Sequence, residues 1–129
     1  MLASMTKGLV FLIGMLIEGA VAALLGVLLH KQFDRSRFGA AVRCGAAAVI
    51  GTGATNPAIW AGFSRLEDWT GSWWGAAALG EASVVLVEAL FYAAALRGRW
   101  RWSLALSIAA NATAFGAGLL FAPGVVRPG

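Results

Sequence analysis

The sequence predicts an all-α polytopic membrane protein, an antiparallel bundle of four transmembrane helices forming one integral domain over residues 1–129. Three observations carry this prediction. Hydrophobic residues make up 60% of the chain and charged residues only 12%, where a soluble domain carries roughly 25% charged residues. Four apolar runs of about 20 residues alternate with short polar loops, and a run of that length spans the ~30 Å hydrocarbon core. Of the six Trp, Trp60, Trp69, Trp73 and Trp74 gather about the loop between the second and third runs, as where amphipathic rings settle at headgroup level.

The first run covers residues 9–29, with Lys7 before it and His30-Lys31 after it. A cleaved signal peptide competes for this stretch. The run exceeds an h-region of roughly 7–15 residues and Glu18 interrupts it, so a retained helix is expected. Residues 30–38 form a short basic loop. The second run covers 38–60, and Arg43, one turn inside, can snorkel back to the interface. It ends in Thr55-Asn56-Pro57. Proline lacks an N–H and disfavours helix at the residue before it, which predicts a kink or helix break at Asn56. Thr52, Thr55 or a neighbouring helix is expected to meet the freed carbonyls. Residues 61–72 read as a loop flanked by Trp60, Trp69, Trp73 and Trp74. The third run covers 73–96. Loop three, residues 97–101, carries three arginines. The fourth run covers 102–121 with Asn111 near its middle. The tail 122–129, with two prolines and two glycines, reads as a frayed end.

Charge sets the orientation. The side with loops one and three holds seven basic residues (Lys31, Arg35, Arg37, Arg43, Arg97, Arg99, Arg101), and the opposite side holds three (Lys7, Arg65, Arg127). The positive-inside rule places loops 30–38 and 97–101 in the cytoplasm and both termini outside. The net charge of +4 therefore reads as a topology signal and not as a nucleic-acid signal. The single Cys44 excludes an internal disulfide and a cysteine metal cluster, and reads as a small packing residue. His30 reads as an interfacial residue at a helix end.

Half of the six acidic residues lie in the least favourable place for charge. Asp34, Glu67 and Asp68 are in loops, whereas Glu18, Glu81 and Glu88 lie inside apolar runs. Positions i and i+7 are two turns apart, so Glu81 and Glu88 share a face about 10 Å apart along the axis. Tyr92 extends that face one turn further. Such a stripe is expected to face the bundle interior. Glu18, Asn56, Glu81, Glu88, Tyr92 and Asn111 are the candidate polar cluster, and Arg43 is the nearest cation. Seams between helices are expected at Gly14, Gly19, Gly26, Gly45, Gly51, Ala76, Gly80, Gly116 and Gly118, where small residues permit close approach.

Four readings of the cluster compete. Neutral glutamates can act as interhelical hydrogen-bond donors, contributing about 0.6–2 kcal/mol each. Titratable oxygens spaced through a membrane can form a proton or cation path, in which case Glu81→Gln or Glu88→Gln removes activity and leaves folding intact. Polar side chains can dock a second membrane subunit, which would make the chain an accessory or assembly subunit of a larger complex. A carboxylate catalytic site is the weakest reading, because there is no HExxH, no Cys/His ligand set, no GxSxG and no glycine-rich phosphate loop. The chain is therefore not read as an enzyme, and neither a cofactor nor a metal is expected. Its partners are the lipid bilayer and, where it assembles, other membrane subunits or further copies of itself.

The segments Thr55-Asn56-Pro57-x-x-Trp60, Glu81-x-x-Val84-Val85-x-Val87-Glu88-Ala89-x-x-Tyr92 and Ser103-x-x-x-Ser107-x-x-x-Asn111-x-x-x-x-Gly116 resemble small bacterial four-helix membrane proteins. The resemblance covers the last three helices and excludes the first helix with Glu18. It implies that these positions belong together, and the expected location is a bacterial inner membrane. It implies no activity. Glu18 also invites comparison with small multidrug transporters that have one glutamate in the first helix, but the two further glutamates and the Asn-Pro turn do not fit that pattern.

Overall fold

A computed structural model describes residues 2–121, with side chains from Gly8 onward. The tail 122–129 and the charges of Lys7 and Arg127 lie outside what is described. The fold is all-α, with α1 at Leu2–Leu28, a 3-10 turn at His30–Phe33, α2 at Arg37–Thr70, α3 at Trp73–Ala95 and α4 at Trp100–Phe121. Each helix packs on its neighbours in chain order, and α4 closes the ring against α1. Short connections make successive helices antiparallel. The α1–α2 and α2–α3 seams are more extensive than the two made by α4.

Three helices, α1 (Gly8–Leu28), α3 and α4, are long and apolar enough to cross a membrane. The fourth, α2, carries Thr52, Thr55, Asn56 and Pro57 through its middle, which lowers its apolarity. Two of these turn inward, since Thr52 and Thr55 are both buried.

The helix break expected at Pro57 does not occur. Helix α2 continues through Pro57 for thirteen further residues to Thr70, and most of the loop assigned to 61–72 is helix. Proline removes only one ladder bond, to the carbonyl of Gly53, and packing against two neighbouring helices offsets that loss. The threonines do not serve the freed carbonyl. Thr52 donates to Glu18, and Thr55 is engaged by Gly51 and Glu88. The actual stop is Gly71, whose φ of 70° is the left-handed conformation that glycine adopts at low cost. Ser72 then caps α3 by accepting from the N–H of Gly75 at 2.9 Å, as Ser36 caps α2 by accepting from Gly39 at 3.0 Å.

The bundle has two unlike ends. At the end bearing loops 30–38 and 97–101, the 3-10 turn inserts Phe33 into the core, edge-on to Trp102 with ring centroids 6.1 Å apart. Phe33 joins Ala22, Ala40, Cys44, Tyr92, Leu96 and Leu106 in one buried cluster. Arg99 ties the two loops together, donating to the carbonyl of Gln32 and pairing with Asp34 at 2.5 Å. Here α1 and α2 approach so closely that a Cβ on Gly26 would lie 2.6 Å from the carbonyl oxygen of Ala40. Arg43 does not point at Glu88. It is exposed and donates to the carbonyl of Ala95 at 3.4 Å, beside the negative end of α3.

At the tryptophan end the helices separate. Gly19, Gly26 and Gly45 do line the α1–α2 seam, and Gly51 and Gly80 lie against side chains of α3 and α2 respectively. Gly14 and Gly116 do not form seams, because a Cβ on either would meet nothing within 4 Å. The small residues there leave space instead of filling a contact.

Candidate functional site

The buried face of α3 follows an i, i+4 row through Ala76, Gly80, Val84, Glu88, Tyr92 and Leu96. Glu88 sits on that row and is fully buried. Glu81 lies to one side of it and is only partly buried. Two turns of helix and a small rotation thus separate two glutamates that periodicity alone puts on a common stripe.

Glu88, on α3, is held from α2 and from α4. Its Oε2 accepts from Asn111 Nδ2 of α4 at 2.6 Å, and its Oε1 lies 3.0 Å from Thr55 Oγ1 of α2. Asn111 Nδ2 also donates to the carbonyl of Ser107 at 2.9 Å, and Ser107 Oγ donates across to the carbonyl of Val85 at 2.9 Å. Gly51 makes room for this knot, since a Cβ there would stand 3.0 Å from Glu88 Cγ. Thr55 has a single hydroxyl hydrogen, yet two acceptor oxygens lie 3.0 Å away, Glu88 Oε1 and the carbonyl of Gly51. One hydrogen serves both only by a weaker, shared bond. A hydrogen on Glu88 Oε1 satisfies every atom: Glu88 donates to Thr55, Thr55 donates to Gly51, and Asn111 donates to Glu88 Oε2.

Glu18 of α1 is 5% exposed and takes the hydroxyl of Thr52 on its Oε2. Its other oxygen has no hydrogen-bond partner among the described residues, and the side chain lines a cavity of ≈ 700 Å³ at the tryptophan end. All four helices contribute to the wall. Glu18 and Asn111 stand at the depth of the buried knot, with Glu81, Asn56 and Glu67 further out. The remaining lining is apolar and aromatic, including Phe11, Trp60, Phe63, Trp73, Phe115 and Phe121. Neither Glu81 nor Asn56 makes a side-chain hydrogen bond to another described residue.

The candidate residues therefore fall into two groups. Glu88 and Asn111 join in the knot, with Glu18 bonded to Thr52 beside it. Glu81 and Asn56 face the cavity. Tyr92 is fully buried one turn below Glu88, and its hydroxyl finds no partner among the described residues. Pro57 lies exposed on α2. Thr52, Thr55 and Ser107 complete the site as hydrogen-bonding partners. Their i, i+3 spacing on α2 and the Ser107-x-x-x-Asn111 step on α4 were the available signals, and both fit an ordinary helix equally well. Comparison with protein families, curated proteins and solved structures finds no match.

Proposed function

We propose that this chain is an inner-membrane protein whose four helices all cross the bilayer, with the basic end in the cytoplasm, and that it is a proton- or cation-coupled carrier. The observation that supports this most is the cavity. Its lining runs from the Trp60 and Trp73 end to about the bundle middle, where a carboxylate oxygen of Glu18 has no hydrogen-bond partner among the described residues. Carboxylates at such depth face water-filled paths or one another. Seven basic residues at the end bearing loops 30–38 and 97–101 support the orientation. The inward-turned threonines account for the lower apolarity of α2 in a spanning role, because their hydroxyls are bonded within the bundle.

In this reading Glu18 and Glu81 exchange protons or bind a cation, and Glu88 is a neutral structural group. The test uses the purified full chain in proteoliposomes containing a pH-sensitive dye. An imposed cation gradient should drive proton movement. Glu18→Gln and Glu81→Gln should reduce it to the level of empty vesicles, and Glu88→Gln should retain it. Full proton movement in both cavity variants would rule the carrier out.

A further inference from the structure

We propose that the cavity binds a lipophilic monovalent organic cation, an onium ion carrying aromatic or alkyl bulk. This rests on the cavity being the carrier site described above and names its substrate class. The charged groups among the described lining residues are Glu18, Glu67 and Glu81, all acidic, and no lysine or arginine joins them there. An anion would meet three carboxylates and no counter-charge from these residues. A small hydrated metal ion would meet walls that are mostly hydrocarbon and offer few oxygens to replace its water. An onium ion with apolar bulk matches both features, since its charge meets the carboxylates and its substituents meet the phenylalanine and tryptophan faces. At ≈ 700 Å³ the cavity falls within the ~300–1,000 Å³ range of small-molecule sites.

Two features of the walls bear on what the cavity can hold and how it is reached. The Glu18 side chain is nineteen-twentieths buried, borders the cavity and has one oxygen with no hydrogen-bond partner among the described residues. A second, smaller groove of ≈ 290 Å³ runs between α3 and α4, lined by Trp74, Ala78 and Ala112. Ala77, Glu81 and Phe115 border both spaces. Glu81 thus stands where an apolar side groove meets the central cavity. A compound dissolved in the bilayer can enter there with its charge drawn to Glu81 and then to Glu18.

The test compares tetraphenylphosphonium with tetraphenylborate, two ions of nearly equal shape and opposite charge. Full-length protein in nanodiscs is titrated with each, and Trp60 and Trp73 at the cavity serve as fluorescence reporters, with empty nanodiscs subtracted. Saturable quenching by the phosphonium and none by the borate is expected. Glu18→Gln and Glu81→Gln should each weaken phosphonium binding by about tenfold or more. Equal binding of both ions by the unaltered protein would overturn the assignment, as would unchanged phosphonium affinity in both variants. The two proposals separate cleanly. Selective phosphonium binding with no proton movement in proteoliposomes would defeat the carrier and leave the site. Proton movement without phosphonium selectivity would defeat the substrate class and leave the carrier.

Discussion

The two ends of this bundle use the same residue types to opposite effect. At the basic end, small residues bring backbones together, as where Gly26 meets Ala40, and Phe33 fills the remaining space. At the tryptophan end, Gly14, Ala77, Ala114 and Gly118 border a cavity. A glycine on a helix thus marks either a contact or a void, and what faces it decides which. Polar groups divide the same way. Near the middle, Glu88 is enclosed by Thr55 and Asn111, whereas Glu81, seven residues toward the tryptophan end, faces open volume. The difference makes one end a packed plug and leaves at the other a cavity that Glu18 and Glu81 border.

Substitutions that respect this division should differ sharply in cost. The largest difference is expected between Phe33→Ala and Phe121→Ala, measured by thermal unfolding in detergent. Removing the buried ring should cost about 3–5 kcal/mol. Phe121 is 86% exposed, and its loss should cost less than about 0.5 kcal/mol. Equal losses would mean the plug is not the stabilised end.

Among the glycines, Gly26→Ala should destabilise by about 1–3 kcal/mol, because the added methyl meets a backbone carbonyl that cannot move away. Gly14→Ala should be neutral or stabilise by up to about 1 kcal/mol, since alanine favours helix and nothing opposes the methyl. A comparable loss at Gly14 would show that the helices meet there after all.

Asparagine offers a similar contrast at smaller magnitude. Asn111→Ala removes the donor to Glu88 Oε2 and should cost about 1–3 kcal/mol. Asn56→Ala removes no side-chain bond to another described residue and should stay within about 0.5 kcal/mol. The smallest effect is expected for Glu88→Gln. Its amide can donate to Thr55 and accept from Asn111 in the pattern of the protonated acid, so stability should change by no more than about 0.5 kcal/mol. A large loss would show that Glu88 is an ionised group.

Much of this was legible in the sequence. The limits of α3 and α4 follow from apolar runs bounded by Trp and Arg, and fall within two residues of expectation. Glu18, Glu88 and Asn111 stood out because a polar group in an apolar run is costly unless paired. The continuation of α2 was not legible. Pro57 is a local breaking signal, and it was overridden by packing of the whole helix, which no local signal records. Thr52 and Thr55 were assigned to the wrong acceptors, since a threonine in a helix can turn to its own backbone or to a neighbour with equal ease. The separation of Glu81 from Glu88 was hidden for another reason. Periodicity reports which face of one helix a residue occupies, but the distance to the facing helices belongs to the bundle.

The central claim is that water and solutes reach Glu18 from the tryptophan end and do not pass the plug. Labelling with a membrane-impermeant maleimide tests it most directly, using Gly14→Cys and Gly118→Cys in a Cys44→Ala background beside the native protein, in intact cells and in inverted vesicles. Both introduced thiols should react from outside the cell and not from the cytoplasmic side, and native Cys44, buried under Phe33, should react from neither. Labelling of Cys44, or of the cavity positions from the cytoplasmic side alone, would contradict the account.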